Sequence, residues 1–279
     1  MILRVALGVL LAAAISTSAA AQAVEWRTVA PDNLLVIETT KGRILVELEP
    51  RAAPLAVERV RTLASQGFYD GLKFHRVISG FMAQTGDPLG TGAGGSDLPD
   101  VPGEFGFRRG RDAPVGVVTG AGYERFGLTG LMGALPIVTQ PDAQMMVTAD
   151  QKVDAAGLFC PGVAGMARSQ SPDSANSQFF LMMAKNDRLN GTYTPFGRVV
   201  SGLEVVSALK AGPEAQDGAV GADADLMTRA RVASNLPEAD RPTVQVAVPG
   251  SAAFEAAVAA ARARTGFDIC AIQPVVRVE

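Results

Sequence analysis

Histidine is almost missing from this chain: one residue, His75, in 279. Cysteine is nearly as scarce, with Cys160 and Cys270 alone. These two shortages remove much of ordinary enzyme chemistry. A Ser-His-acid triad could draw only on His75, and no G-x-S-x-G stretch exists to present a serine nucleophile. Zinc would be poorly served by one histidine and two distant cysteines, so no metal site is expected. Charge is also modest, with 25 basic residues against 28 acidic ones and a net charge of −3. No stripe of Lys and Arg runs through the chain, which argues against a nucleic-acid partner. No apolar run reaches the ~20 residues that a membrane-spanning helix needs.

What is present is an apolar content of 48% with ordinary charge, the composition of a globular protein with a real core. The N-terminal text MILRVALGVLLAAAISTSAAAQA reads as an export signal. Arg4 supplies the positive end, residues 5–15 a short apolar stretch, and Ala19-Ala20-Ala21 a small-residue cleavage site. The expectation is a signal peptide over 1–21, cut near 21–23, no membrane span after its removal, and a periplasmic protein. No cysteine follows the apolar stretch, so a lipid-modified cysteine is excluded there.

Beyond the leader, residues 34–39 and 44–49 predict a hairpin about a Gly-containing turn. Residues 53–66 carry apolar side chains at helical spacing and stop at Gly67. Strands are expected at 72–78, 81–85, 162–167, 177–183 and 196–200, then a helix over 202–210. From about 103 to 160 the text becomes rich in Gly, Pro and Met and loses periodicity, which predicts an insertion of loops with short elements. The tail reads as a strand at 244–248, a helix at 252–264 and a strand near 269–278.

Two motifs carry less than their letters suggest. Gly90-Thr-Gly92-Ala-Gly94-Gly95 has dinucleotide-fold spacing, but the prolines of SDLPDVPGEF oppose the helix that must follow. Ser207-Ala-Leu-Lys210 matches S-x-x-K without its S-D-N and K-T-G companions. Neither supports a cofactor, and none is expected. What remains is FHRVISGFMAQTGD, an apolar strand holding a guanidinium that must be hydrogen bonded to be tolerated. With the Phe, Met, Gln and Leu of the later blocks, Arg76 could form an apolar pocket with one strong donor.

FHRVISGFMAQTGDPLGTGAGG, GVAGMARSQSPDSANSQFF and LNGTYTPFGRVVSGLEVV resemble, in order, the three central blocks of cyclophilin-type peptidyl-prolyl cis-trans isomerases. The resemblance spans roughly 34–209 apart from the insertion, and an extra residue between Met166 and Ser177 is similar to exported bacterial members. It implies a mainly β fold, a closed antiparallel eight-stranded barrel capped by helices, over residues 30–279. The insertion at about 103–160 and a C-terminal extension at about 211–279 would decorate that barrel. It also implies rotation about Xaa-Pro bonds in proline-containing polypeptides, with Arg76 as the catalytic guanidinium and Gln84 supporting it. Phe81, Met82, Phe180 and Leu189 would form the proline pocket, and Ala167, Arg168, Gln178 and Tyr193 would line the peptide groove. Arg168 stands where the family commonly has Asn, Tyr193 replaces a groove histidine, and Arg188 replaces a frequent Trp. The last argues against tight cyclosporin binding. A proline-peptide binding module or holdase with weak turnover is the alternative reading.

His75 and Arg76 alternate along one strand and so point to opposite faces. If Arg76 faces the groove, His75 faces inward and is structural. Cys160 and Cys270 are the remaining question. In an oxidising compartment they could join the insertion to the C-terminal extension; two buried free thiols are the other possibility.

Overall fold

The structure, a computed structural model, describes residues 25–118 and 127–279. The leader expected at 1–21, with its cleavage near 21–23, lies outside the described residues. The predicted hairpin is the centre of the main sheet: Leu34–Thr39 pairs antiparallel with Gly42–Leu48, with Thr39 opposite Gly42. Both strands are buried along most of their length, because the sheet packs apolar side chains inward and is covered on its outer face by other elements.

The main sheet has nine antiparallel strands. Their order is Leu72–Lys73, Leu226–Val232, Leu34–Thr39, Gly42–Leu48, Pro195–Ser201, Val163–Met166, Phe179–Met182, Met82–Thr85 and Arg76–Ile78. It differs from the eight-stranded barrel expected, because residues 72–78 do not run as one strand. They split at Phe74-His75 and supply both edges of the curled sheet. Those edges are joined by the chain itself; no ladder pairs them directly among the described residues.

Helix Pro54–Ser65 caps the sheet. Ala56, Val57, Val60, Leu63 and Ala64 form its buried stripe, at the three-and-four spacing read from the sequence. Its N-terminus is held from a distance, since the Glu104 carboxylate accepts the Leu55 and Ala56 N–H groups at 3.0 and 2.9 Å. The second helix is shorter than expected, Leu203–Ser207. It starts at Gly202, whose φ of 90° and close approach to the Arg43 carbonyl leave no room for a Cβ.

The insertion is more ordered than its composition suggests. It forms a five-stranded sheet in the order Phe107–Arg109, Val153–Gly157, Leu135–Thr139, Leu128–Met132 and Gly116–Val117. All five residues of Leu135–Thr139 are buried. A strand covered on both faces has no polar alternation to show, so its period is invisible in the sequence.

The C-terminal boundary also shifts. Leu226–Val232 lies inside the main sheet between Leu34–Thr39 and Leu72–Lys73, so 211–279 is not wholly an extension. Its two exposed or half-exposed arginines, Arg229 and Arg231, mask the apolar pattern. Beyond it, Val244–Ala247 pairs with Trp26–Thr28 on one side and Val276–Val278 on the other. Helix Ala252–Arg262 follows, with the Ser251 hydroxyl accepting the Phe254 N–H at 3.2 Å. The strand expected near 269–278 is instead a 3₁₀ turn, Ile269–Ala271, and the short strand Val276–Val278. Asp268 starts that turn by accepting the Cys270 N–H at 2.8 Å.

The N-terminal strand, the insertion and the C-terminal segment thus make a second module beside the main sheet. Cys160 and Cys270 are disulfide bonded, with Cα atoms 4.9 Å apart. Arg198, fully buried, adds a polar joint. It donates to the carbonyls of Pro161, Ala134 and Ile272 at 3.1, 3.2 and 2.9 Å. Burial pulls its pKa down, and these carbonyl acceptors are what make the charge tolerable there.

Candidate active site

Register places the site. Arg76–Ile78 pairs with Met82–Thr85 so that Arg76 lies opposite Gln84 and Ile78 opposite Met82. The next strand sets Phe180 opposite Gln84. Side chains directly opposite each other share a face, so Arg76, Gln84, Met82 and Phe180 converge on one side of the sheet. Val77, between Arg76 and Ile78, points the other way and is fully buried.

A cavity of about 130 Å³ opens on that face, lined by Arg76, Phe81, Met82, Gln84, Ala167, Arg168, Phe180, Leu189 and Tyr193. Nine of the ten residues singled out from the sequence line this one cavity. Gln178 borders the adjoining cleft, which shares Gln84, Ala167 and Arg168 with it. The Gln84 amide donates to Gln178 Oε1 at 2.9 Å, and the Gln178 amide donates to the Gly92 and Gly94 carbonyls at 2.9 and 2.7 Å. The glycine-rich loop that resembled a nucleotide motif therefore braces the site through Gln178.

The Arg76 guanidinium is held on two sides. Nη1 donates to Gln84 Oε1 at 3.2 Å, and Nη2 donates to Asp217 Oδ1 at 3.0 Å. Nε donates to both the carbonyl and the carboxylate of Asp217, at 2.9 and 3.1 Å. Asp217 is absent from the sequence reading. It sits 141 residues away, in a left-handed turn conformation at φ 50° that an aspartate tolerates better than most side chains. With Asp217 on its outer edge, the guanidinium presents Nη1 to the cavity.

The departures at Arg168 and Tyr193 belong together. The Arg168 guanidinium lies 4.5 Å from the Tyr193 ring centroid, a cation–π contact, while Nε donates to the Thr192 carbonyl at 3.0 Å. Tyr193 also meets Phe180 edge-on at 5.8 Å. Arg188 is exposed in the turn Asp187–Leu189 and does not line the cavity. Among the described residues, no group of three or more His, Cys, Asp and Glu side chains could hold a metal.

His75 faces away from the cavity, 5% exposed, and neither ring nitrogen has a hydrogen-bond partner. Loss of solvent pushes its pKa below the ordinary 6.5, and this outweighs the opposing pull of Asp87. A base whose folded pKa is depressed binds a proton in the unfolded chain before it does so in the folded one. Stability is therefore complete above about 6.5 and falls as pH drops through that value towards the depressed folded pKa. One such proton gives a slope of at most about 1.4 kcal/mol per pH unit. Denaturant unfolding between pH 7 and pH 5 should show this slope, and His75→Gln should remove that part of it. An unchanged slope in the variant would assign the acid sensitivity to other groups.

Comparison with known proteins gives the family. The family model described as Cyclophilin type peptidyl-prolyl cis-trans isomerase/CLD matches residues 34–232. The chain belongs to the cyclophilin family. It is a peptidyl-prolyl cis-trans isomerase by that membership, and its matched unit is the main sheet together with the inserted one. A probable peptidyl-prolyl cis-trans isomerase of Brucella suis is 35% identical over 201 residues, covering 68% of this chain and 78% of the relative. That of Brucella abortus strain 2308 is also 35% identical over 201 residues, with the same shares covered. Among solved structures, the cyclophilin AquaCyp293 of Hirschia baltica superposes with a TM-score of 0.79 at 35% identity. The superposition covers 91% of this chain and 93% of that one, so this cyclophilin shares its second module as well as its main sheet.

Proposed function

We propose that the protein isomerises Xaa-Pro bonds of exported polypeptides without covalent chemistry, using Arg76 as the donor to the prolyl amide. The observation that carries this reading is the placement of Arg76 Nη1 beside Gln84 in a cavity that Phe81, Met82, Phe180 and Leu189 also line. Amide resonance gives the rotation a barrier of ~20 kcal/mol. In the twisted amide the prolyl nitrogen regains its lone pair, and a donor aimed at that nitrogen favours the twisted form over either planar one. Phe81, Met82, Phe180 and Leu189 would hold the proline ring and keep water from competing for the donor. Arginine suits this position because it stays charged when partly desolvated. Gln84 and Asp217 keep the fork in one orientation.

Export and a periplasmic location are supported by the leader text and by the Cys160–Cys270 disulfide, a bond that persists in oxidising compartments. Cell fractionation with N-terminal sequencing tests this: the mature chain should begin between 22 and 24 and leave the cell with the periplasmic fraction.

The activity is tested with purified mature protein and short Xaa-Pro peptides in a cis/trans assay. Strong acceleration over the spontaneous rate is expected. Peptide binding with no acceleration would replace the enzyme reading with that of a holdase.

A further inference from the structure

The floor of the cavity belongs to the second module as much as to the main sheet. Met82 and Phe180 lie in one buried apolar cluster with Leu131, Val258, Ile269 and Cys270. The interior of the main sheet is a separate cluster, built around Tyr69, Phe179 and Phe196. Phe159 belongs to the same buried cluster as Met82 and Phe180. Its ring stacks on Phe180 with centroids 5.7 Å apart and planes 29° from parallel. Gly165 makes the stack possible, since a Cβ there would come within 2.6 Å of the Phe159 ring and 2.7 Å of the Phe180 ring.

The backbone of Phe159 is tied to the cavity wall. Its N–H donates to Asn190 Oδ1 at 2.8 Å, and its carbonyl accepts the Asn186 N–H at 2.9 Å. Residues 186–193, which carry Leu189 and Tyr193, are thus strapped to Phe159. The next residue is Cys160, bonded to Cys270 in the C-terminal segment. Phe159 itself does not line the cavity.

We propose that Phe159 is a positioning residue of the isomerase site, through which the C-terminal segment 244–278, beyond the family-matched 34–232, sets the floor and one wall of the proline pocket. This rests on the reading of that cavity as the proline pocket. Truncating Phe159 opens a void beneath Phe180, and the ring tilts or sinks into it. Dispersion contacts fall off within a fraction of an ångström, so a lowered floor grips the proline ring less well. The ring occupies the pocket before, during and after rotation, so its binding weakens equally in the ground and transition states. Arg76 stands on the edge strand, two strands from Phe180, and keeps its donor geometry through Gln84 and Asp217, neither of which touches Phe159. A loss of uniform binding raises KM and spares kcat.

The test is initial-rate kinetics of the full mature chain on Xaa-Pro peptides, for Phe159→Ala and Asn190→Ala. Phe159→Ala should raise KM about tenfold and Asn190→Ala about threefold, with kcat within about twofold of the parent in both. Thermal unfolding confirms that each variant is folded at the assay temperature. If Phe159→Ala is not, Phe159→Leu and Asn190→Ala decide. An unchanged KM with only a lower unfolding midpoint would reduce Phe159 to packing and overturn the proposal. So would a fall in kcat at constant KM, which would route its effect through Arg76 instead. Absence of isomerase activity in the parent chain is a separate result and would remove the proline reading itself.

Discussion

Replacing Arg76 with alanine is expected to lower kcat/KM by about two to three orders of magnitude, the usual cost of one preorganised electrostatic donor. Arg168, the other cation lining the cavity, lies against Tyr193 and donates through Nε and Nη1 to backbone carbonyls. The fold should survive, because the Arg76 side chain is 30% exposed on an edge strand and its acidic partner Asp217 is 79% exposed. An exposed carboxylate left without its partner returns to water at little cost. Arg76→Lys should recover part of the activity at most. It restores charge but not the planar fork that meets Gln84 and Asp217 together. Circular dichroism and the unfolding midpoint serve as controls. Near-parent turnover in Arg76→Ala would end the proposed mechanism.

Removing the disulfide is expected to have the largest effect on stability. Cys160 and Cys270 lie 110 residues apart in sequence, and the bond closes that loop in the unfolded chain. In the chain-entropy description a loop of that length is worth about 4.7 kcal/mol, and native disulfides generally contribute 2–5 kcal/mol. The double variant Cys160→Ala, Cys270→Ala avoids placing hydroxyls in a site where both residues are buried. Its denaturant midpoint should fall accordingly, and the unreduced, denatured parent should show no free thiols. A loss below about 1 kcal/mol would mean that burial of the second module supplies its attachment and the crosslink adds little.

The two largest effects fall on different parts of the chain, and the sequence prepares for them unequally. Arg76, Gln84, Phe81 and Met82 are neighbours in one short stretch, and a two-residue period with a tight turn puts the first two opposite each other. The pairing of Arg76 with Gln84 follows from that local geometry, whereas Phe81 reaches the same cavity from the turn before the strand. The inward face of His75 follows from the same alternation. Helix 54–65 was equally legible, since its apolar residues recur at a spacing only one secondary structure satisfies.

Elsewhere the local pattern was silent or misleading. Residues 128–157 read as loops because their strands are covered on both faces and lose alternation. Leu226–Val232 has no clear apolar run in the sequence because arginines on its outer side interrupt it. The break at Phe74-His75 could not be seen either. It comes from the Phe74 N–H turning to the Asp225 carbonyl and the His75 carbonyl accepting the Val220 N–H, bonds to a distant segment.

By itself, then, the sequence determined the family, because three motifs lie in contiguous blocks in the family's order, and the resemblance implied the strand of Arg76 and nearly all of the cavity's lining. Tertiary structure alone decided that Asp217 grips Arg76, that Arg168 lies on Tyr193 and that Phe159 supports Phe180. Each of these is a pairing across tens of residues or more, set by how separate elements pack, and no local propensity or spacing encodes it.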